Sequence, residues 1–277
     1  MSDHSDKHKP FSASLFLITI LLSVSVYLST LALVAPSVWK VQLSAGWVSF
    51  TLTFLACHLF NAMFEFFFHR YVLHCPLIPG LYRFYKSHTK HHRLTSVIWR
   101  RVGVNNRYPI LEEKQHEDSF FPWYSYTVFI LVLTPLFILV HIFFPTVPIF
   151  LAGALALVWS ISLYEILHSK WHLPPEKWDK KLYQQNRYKR VFWRIVYGFH
   201  LRHHVNYRCN EGISGFFGIP VADFLFDTWI NSKSLYTHGE HVNREEFDPP
   251  PRPIFFIRWL DDIAQKQVQK QRDKKRG

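Results

Sequence analysis

Long stretches without charged side chains are the feature that most limits what this chain can fold into. No Asp, Glu, Lys or Arg occurs in residues 15–35, 46–64 or 120–164. A bilayer core needs about 20 apolar residues for each helical crossing, so the third stretch is long enough for two. Pro145 and Pro148 would separate these two crossings. The sequence therefore predicts four transmembrane helices, at about residues 14–36, 46–67, 123–144 and 147–167.

Two other interpretations of the apolar stretches are less favoured. Helices of this length could be buried in a soluble core, but their uniform apolar character argues for a bilayer. The first stretch could belong to a signal peptide, but it exceeds the usual apolar region of about 7–15 residues. A signal anchor or first transmembrane helix fits it better. We expect an all-α integral membrane protein.

The basic residues predict the orientation. The connections after the first and third predicted helices carry only Lys40, whereas residues 70–118 hold nine Lys or Arg and residues 170–277 hold twenty. Cytoplasmic segments carry the excess of Lys and Arg. The middle segment and the C-terminal region should therefore face the cytoplasm as a helical, histidine-rich cap. The net charge of +12 then reflects this bias and attraction to anionic lipids, and no nucleic acid is needed to explain it.

The sequence divides into a short N-terminal cytoplasmic tail (1–13), one membrane domain (14–260) and a basic C-terminal tail (261–277). Within the domain, residues 93–122 form a polar, irregular linker, and residues 177–194 form either an interfacial helix or a solvated basic helix. The last residues, 274–277, have the form of a dilysine retrieval signal. They would place a eukaryotic protein in the endoplasmic reticulum, whereas in a bacterium they would be only a basic tail on an inner-membrane protein.

Ten of the seventeen histidines fall into four clusters that follow the predicted membrane helices. Neutral imidazole is the commonest metal ligand, and crowded buried histidines without a metal would leave polar groups unpaired. So many together indicate a site for more than one ion. The clusters are His69 and His74; His88, His91 and His92; His168 and His172; and His200, His203 and His204.

Spacing indicates how each cluster could bind. Residues three and four apart share one face of a helix, so each triplet should converge on one side. His69 and His74 are five apart, which places them about 140° apart on a regular α-helix. Either the second membrane helix ends near Val72, with Pro76 helping to break it, or this pair flanks two different ions.

The other histidines have weaker claims to a role. His238 and His241 form a three-apart pair that is either an accessory to the site or a loop feature. A lone histidine more often finds an ordinary hydrogen bond than a metal. The remaining five, which we expect to be packing or tail residues, are His4, His8, His58, His116 and His141.

The number of ligands favours two redox-active ions. All-imidazole ligation suits Zn, Cu, Fe or Ni, and structural zinc takes only four ligands. Ten ligands shared by two ions would leave one open position on each octahedral iron, as activation of dioxygen requires. The spacing predicts a dinuclear site, whereas iron is inferred from the chemistry. Zinc could occupy the site in purified or overexpressed protein.

Two carboxylates and a tyrosine lie close to the clusters along the chain. Glu65 lies four residues before His69, and Glu165 lies three before His168, so each could accept the free ring N–H of that histidine. Tyr164 could give His168 another hydrogen bond. An ionisable residue in or beside a membrane is functional by default.

These motifs together resemble the fatty acid hydroxylase and sterol desaturase superfamily of membrane di-iron enzymes. The resemblance covers about residues 46–230 and rests on the four histidine clusters and their surroundings. The local motifs are His69-Arg-Tyr, Tyr164-Glu-Ile-Leu-His168, His203-His204-Val-Asn-Tyr207, Gly212-Ile-Ser-Gly215 and Asp223-Phe-Leu-Phe-Asp227-Thr. Acyl-CoA desaturases lack a pair like His168 and His172 at that place, so the hydroxylase branch is closer.

The resemblance implies that all ten clustered histidines bind two irons at the cytoplasmic side of four membrane helices. It implies an O2-dependent oxidoreductase that hydroxylates an unactivated C–H of a lipid, either a fatty acyl chain or a sterol, with desaturation as the alternative. The His-Pro-Gly-Gly signature of a fused haem-binding donor domain does not occur. Electrons should therefore come from a separate partner, a cytochrome b5-like or ferredoxin-type protein.

Two other classes of metalloprotein are less consistent with the sequence. A membrane metal transporter would place its site near the bilayer midplane, but every histidine cluster lies at or beyond the end of a predicted helix. A membrane metalloprotease would need a His-Glu-x-x-His motif, which is absent.

Overall fold

The computed structural model describes residues 13–101, 103–116, 119–236 and 242–274, and most of this part is helical. Strands β1 (Val97–Arg100) and β2 (Gly103–Asn106) form an antiparallel hairpin in which Val97 pairs with Asn106. A π-helical segment, His69–Leu73, directly follows the third helix. The α-helices are α1 (Ala13–Val34), α2 (Pro36–Ser44), α3 (Trp47–Phe68), α4 (Tyr82–Leu94), α5 (Glu113–His116), α6 (Ser125–Phe143), α7 (Ile149–Trp171), α8 (Pro175–Leu182), α9 (Arg187–Val205), α10 (Val221–Leu225) and α11 (Phe255–Lys274).

Four of the described segments are long and apolar enough to cross a bilayer, as the sequence predicts. They are Ser14–Val34, Trp47–Leu73, Ser125–Phe143 and Ile149–Trp171. Their ends lie within a few residues of the predicted ones, except that the second and fourth continue further and carry clustered histidines. The short helix α2, which begins at Pro36, was not predicted. These features indicate a membrane protein.

Helices α3 and α7 form the centre of the membrane bundle, with α6 packed against α7 and α1 on the outside. Gly153 of α7 permits the close approach of α6, because a Cβ atom there would lie 2.6 Å from the Phe137 ring. Hydrogen bonds of Ser160 join α3 and α7 inside the bundle. Ser160 of α7 binds Nδ1 of His58 at 2.9 Å and accepts from Nδ2 of Asn61 at 3.1 Å.

The segment after α4 is more ordered than the sequence suggests. The predicted irregular linker, residues 93–122, contains the β1–β2 hairpin and helix α5. Each strand has only four residues, and their burial does not alternate, so no periodic signal marks them. Gly103 adopts a φ of 122°, in the region that favours glycine, where the second strand begins.

The basic stretch 177–194 is not one helix but parts of two. Helix α8 ends at Leu182, and α9 begins after Asn186, whose side chain accepts a hydrogen bond from the Lys189 backbone N–H at 3.0 Å. Asn is a favoured helix N-cap, which explains the new start. Tyr188 and Phe192 on α9 are exposed.

The C-terminal helix crosses residue 260, where the sequence suggests that a tail begins. Helix α11 runs to Lys274 and buries Ile257 and Ala264 on either side of that boundary. The three cysteines, all among the described residues, form no disulfide. Residues 1–12 of the proposed N-terminal tail and residues 275–277 of the retrieval-like ending lie outside the described residues.

Candidate metal centre

The ten clustered histidines come together as two groups of five, and within each group the ligand nitrogens all lie within 4.8 Å of one another. The groups adjoin: the His92 ring of one stacks on the His204 ring of the other, with centroids 4.1 Å apart. The first group is His69, His74, His88, His92 and His203, and the second is His91, His168, His172, His200 and His204. Two buried groups of this kind could each hold one metal ion.

The π-helical segment explains how His69 and His74 enter the same group. The His74 backbone N–H donates to the His69 carbonyl at 3.0 Å, which is the five-residue hydrogen bond of a π-helix. This wider turn places the two rings nearly parallel, 4.9 Å apart. The expectation that the pair flanks two ions is therefore wrong. The helical segment does end close to Val72, as the other alternative held, but it ends in a π-turn.

Helices α4 and α9 each serve both groups. Their histidines do lie on one face, as predicted, but each triplet is divided. On α4, His88 and His92 are four apart and join the first group, while His91 joins the second. On α9, His203 joins the first group, and the four-apart pair on either side of it joins the second. The two helices thus hold the groups next to each other.

The distances between ring nitrogens fit metal binding. Nε2 of His69 lies 2.9 Å from Nε2 of His88, and Nε2 of His172 lies 3.2 Å from Nε2 of His200. Two nitrogens bound to one ion at about 2.1 Å and at a right angle would be about 3.0 Å apart. Nε2 of His91 and of His168 are buried without a hydrogen-bond partner. Converging lone pairs and orphaned buried nitrogens are satisfied by a cation.

Hydrogen bonds on the far side of the rings hold several Nε2 atoms toward the centre. In the first group, Nδ1 of His69 donates to the Glu211 carbonyl at 2.6 Å, and Nδ1 of His203 donates to the Cys209 carbonyl at 2.8 Å. An acceptor on Nδ1 fixes the tautomer and leaves the Nε2 lone pair for a metal.

Three histidines of the second group likewise have a hydrogen-bond acceptor at Nδ1. Nδ1 of His172 donates to the Tyr108 carbonyl at 2.7 Å. Nδ1 of His91 lies 3.0 Å from Oγ of Ser119, and Nδ1 of His204 lies 3.1 Å from Oγ1 of Thr95. The Ser119 and Thr95 hydroxyls donate their own protons to backbone carbonyls of Gln115 and His91. Both hydroxyl oxygens therefore act as acceptors for the imidazoles.

The electrostatic setting keeps the histidines neutral. Burial lowers the pKa of His172 to about 4. Burial, with neighbouring imidazoles adding to it, holds the pKa of His88 and of His204 well below the usual range. At neutral pH these rings carry no proton on the metal-facing nitrogen, which is the state that binds metal.

The predicted roles of the two carboxylates require correction. Glu65 does not accept from His69; it accepts from the backbone N–H and the hydroxyl of Ser214, and from the Gly215 N–H at 3.2 Å. The 210–215 loop lies between Glu65 and His69, and its Glu211 carbonyl takes the imidazole proton instead. Glu65 thus fixes the 210–215 loop, and this loop orients the His69 ring.

Glu165 and Tyr164 also differ from expectation. Glu165 accepts from the Phe121 backbone N–H at 2.8 Å, while its second carboxylate oxygen is buried without a partner. His168 instead bonds to the backbone of Ser119. Tyr164 contacts His168 through its ring, with centroids 5.7 Å apart.

Several positioning residues were not predicted. Asp223 accepts from the backbone N–H groups of Glu211 and Gly212 at 2.9 and 2.8 Å, which fixes the carbonyl that orients His69. Arg70 pairs with Glu211 and, at 2.6 Å, with Asp261 of α11. The two motifs that contain Arg70 and Asp223 were the only sequence signals for this network, and acceptor carbonyls leave no signal at all.

A small apolar cavity lies inside the membrane bundle. It has a volume of about 50 Å³ and lies between α3, α6 and α7, with walls that include Phe64, Phe129 and Ile161. A smaller cavity of about 20 Å³ shares the Tyr164 and Phe121 side chains with it. This second cavity touches one histidine from each group, His88 and His168.

A polar cavity of about 410 Å³ approaches the first group from another side. Its lining includes His74, Arg70 and Gln265 of α11. The Tyr207 ring, which is 48% exposed, stacks on His74 with centroids 4.9 Å apart. The first group therefore borders the polar cavity through His74 and the smaller cavity through His88.

The remaining histidines lie apart from the two groups wherever the structure describes them. His58 bonds to Ser160 and accepts from the Phe217 backbone N–H at 3.0 Å. His141 contacts Phe150 at 5.7 Å. The side chain of His116 lies outside the described residues, as do His4, His8, His238 and His241.

No family model, no curated protein and no solved structure matches this chain.

Proposed function

We propose that this chain is a membrane-bound di-iron oxidoreductase that uses O2 to hydroxylate an unactivated C–H of a lipid, either a fatty acyl chain or a sterol. One observation carries the proposal: two adjoining groups of five histidines, eight of the ten buried, border a small cavity that shares Phe121 and Tyr164 with an apolar cavity between the membrane helices. The resemblance to fatty acid hydroxylases, drawn from the histidine motifs, supports the same activity.

Each five-histidine group would hold one iron. A structural zinc site is complete with four ligands, and five imidazoles per ion leave room for one further ligand. Bound iron would supply the activation of dioxygen and the oxidation of the C–H bond. Zinc could replace it in overexpressed protein, because zinc stands above iron in the affinity order.

The protein's contribution is to hold ten neutral nitrogens in place before substrate arrives. The Tyr108, Cys209 and Glu211 carbonyls fix the rings of His172, His203 and His69. Ligand groups held in this way need little rearrangement during reaction. The second group, whose five histidines are all buried, would also be shielded from bulk water.

The apolar cavity would bind the lipid segment that is oxidised. Phe64, Phe129 and Ile161 present only hydrocarbon surface, which suits an acyl chain or a sterol edge. A reacting carbon near Tyr164 would then face both His88 and His168 across the smaller cavity.

The reaction needs electrons as well as O2. Conversion of R–H and O2 to R–OH and water consumes two electrons and two protons, which a separate cytochrome b5-like or ferredoxin-type donor would deliver. The excess of Lys and Arg on the cap favours a cytoplasmic site. The membrane would be the endoplasmic reticulum in a eukaryote and the inner membrane in a bacterium.

A transporter function is less well supported. Transporter sites lie near the bilayer midplane at broken helices. Here His69 and His168 lie near the ends of their membrane segments, and the other eight histidines lie on or beyond the following cap elements. Desaturation remains the related alternative, since it would use the same groups and cavity.

Lipid profiling of cells that express the protein tests the proposal. His91→Ala and His203→Ala each remove one ligand, from the second and first group respectively, and should abolish oxidised lipid products while the protein stays in the membrane. His141→Ala is the matched control, because its ring contacts Phe150 and lies outside both groups. Normal product levels in both ligand variants would contradict the proposal.

A further inference from the structure

Helix α11 has an apolar stripe that nothing in the described protein covers. Phe255, Trp259 and Ile263 follow one another at four-residue intervals and are 75%, 49% and 38% exposed. Residues four apart lie on one face of a helix. Phe256, which is 45% exposed, widens this stripe. Trp and Phe are typical of the apolar face of helices that lie in the membrane interface.

The position of α11 places the stripe beside the membrane bundle. Phe256 packs against Phe67, near the end of the second membrane segment, with ring centroids 6.5 Å apart. On the opposite face, Ile257 is fully buried in a cluster with Phe66 and Ala222. The first turns of α11 therefore lie at the level where that segment leaves the apolar region.

The same face of α11 changes from apolar to basic along the helix, as expected for a helix on an anionic lipid surface. Lys266 and Lys270 continue the line beyond Ile263 and are exposed. At about 1.5 Å of rise per residue, they lie roughly 5 and 10 Å further along the helix. Lysine side chains can keep their apolar stems near hydrocarbon while their ammonium groups reach lipid phosphates.

We propose that α11 is a membrane-surface helix, whose stripe Phe255–Ile263 enters the bilayer interface and whose Lys266 and Lys270 bind anionic lipid headgroups. This surface is separate from the metal groups and from the reaction assigned to them. An amphipathic helix with one apolar face and basic residues binds anionic membranes in this manner.

The opposite face of α11 contacts the cap, so membrane binding by α11 would also affect the cap. Asp261 receives hydrogen bonds from Arg70 at 2.8 Å and from the Tyr71 hydroxyl at 2.9 Å. Ala264 and Gln265 line the polar cavity that reaches His74. A membrane that holds α11 therefore also holds one wall of that cavity.

Spin labels at two positions of the full chain test the proposal. A ketone-bearing amino acid at Ile263 or at Gln265, coupled to a nitroxide, leaves the native cysteines untouched. The protein is reconstituted into a roughly 3:1 mixture of phosphatidylcholine and phosphatidylglycerol, and collisions with O2 and with chromium oxalate are measured. Gln265 is the matched control because it is exposed on the polar side of the same helix.

The ratio of O2 to chromium oxalate collisions should exceed one at position 263 and fall below one at position 265. Equal access of chromium oxalate to both labels would show a solvated helix and overturn the proposal. Protection of position 263 from both reagents, with spin–spin broadening, would show a second copy of the chain on the stripe and would also overturn it.

The lysines have their own test. Lys266→Glu combined with Lys270→Glu should lower the collision ratio at position 263 in vesicles that contain phosphatidylglycerol and leave it unchanged in pure phosphatidylcholine. An equal effect in both vesicles would contradict headgroup binding by these lysines.

Discussion

The acceptors that orient the clustered histidines come from many places in the chain. Tyr108, Cys209 and Glu211 provide backbone carbonyls, whereas Thr95 and Ser119 provide hydroxyls. The ten histidines themselves could be identified from the sequence, because clustered imidazoles have few other uses. Their hydrogen-bond partners could not, since any residue has a carbonyl. Glu65 and Glu165 were predicted to accept the ring N–H of His69 and His168 because they lie near them along the chain. Backbone groups of folded loops interact with these rings instead.

Thr95 offers a direct test of these orienting bonds. Its hydroxyl donates to the His91 carbonyl at 2.7 Å and accepts from Nδ1 of His204 at 3.1 Å. Thr95→Val keeps the shape of the side chain but removes the acceptor. Metal affinity of the second group should fall by about 10- to 100-fold, the usual cost of losing such a partner.

The control for this change is Thr95→Ser, which retains the hydroxyl. Competition with a chelator, followed by metal analysis of the protein, measures the affinities. An unchanged affinity in Thr95→Val would show that the hydroxyl does not orient His204.

At the scale of elements, the membrane helices were predictable and their departures from regularity were not. Long apolar runs specify the four segments, because only a helix satisfies its own backbone in lipid. The five-residue spacing of His69 and His74 was a signal of irregularity, but it allowed two interpretations. The π-turn decides between these two interpretations. It depends on tertiary contacts such as the hydrogen bond from His69 to the Glu211 carbonyl, which the sequence does not show.

Helix α7 connects the apolar cavity to the second group and gives a test at this scale. Ile161 lines the cavity about two turns before His168. Ile161→Phe should fill the cavity and lower lipid oxidation by roughly 10- to 100-fold, because the substrate carbon is displaced. Leu155→Phe is the control, since Leu155 is exposed on the same helix.

Metal content decides how this result is interpreted. Both variants should retain the metal content of the unmodified protein, because neither residue contacts a histidine group. Unchanged product formation in Ile161→Phe, with metal retained, would show that the lipid does not enter through this cavity.

At the scale of the whole molecule, an apolar cavity and a polar cavity lie on different sides of the histidine groups. The apolar cavity approaches from between the membrane helices, and the polar cavity approaches beside His74 and Tyr207. The proposed reaction of a lipid with O2 and external electrons would need both kinds of access. The apolar stretches and the distribution of Lys and Arg predicted the division into bundle and cap, but not the cavities, which form only when distant segments pack.

Orientation in the membrane is tested by labelling from one side. Ser44, between the first two membrane segments, and Lys233, on the cap, are both exposed. Lys233→Cys should react with a membrane-impermeant maleimide from the cytoplasmic side, and Ser44→Cys should react only from the opposite side. The parent protein measures background from the native cysteines. The reverse pattern would place the metal groups outside the cytoplasm.

The central claim is that each five-histidine group holds one ion. Anomalous scattering at the iron absorption edge, from crystals of protein expressed with iron, tests it most directly because it counts and locates the metals together. Two peaks are expected, one among His69, His74, His88, His92 and His203 and one among His91, His168, His172, His200 and His204. A single peak shared by both groups, or peaks away from these nitrogens, would contradict it.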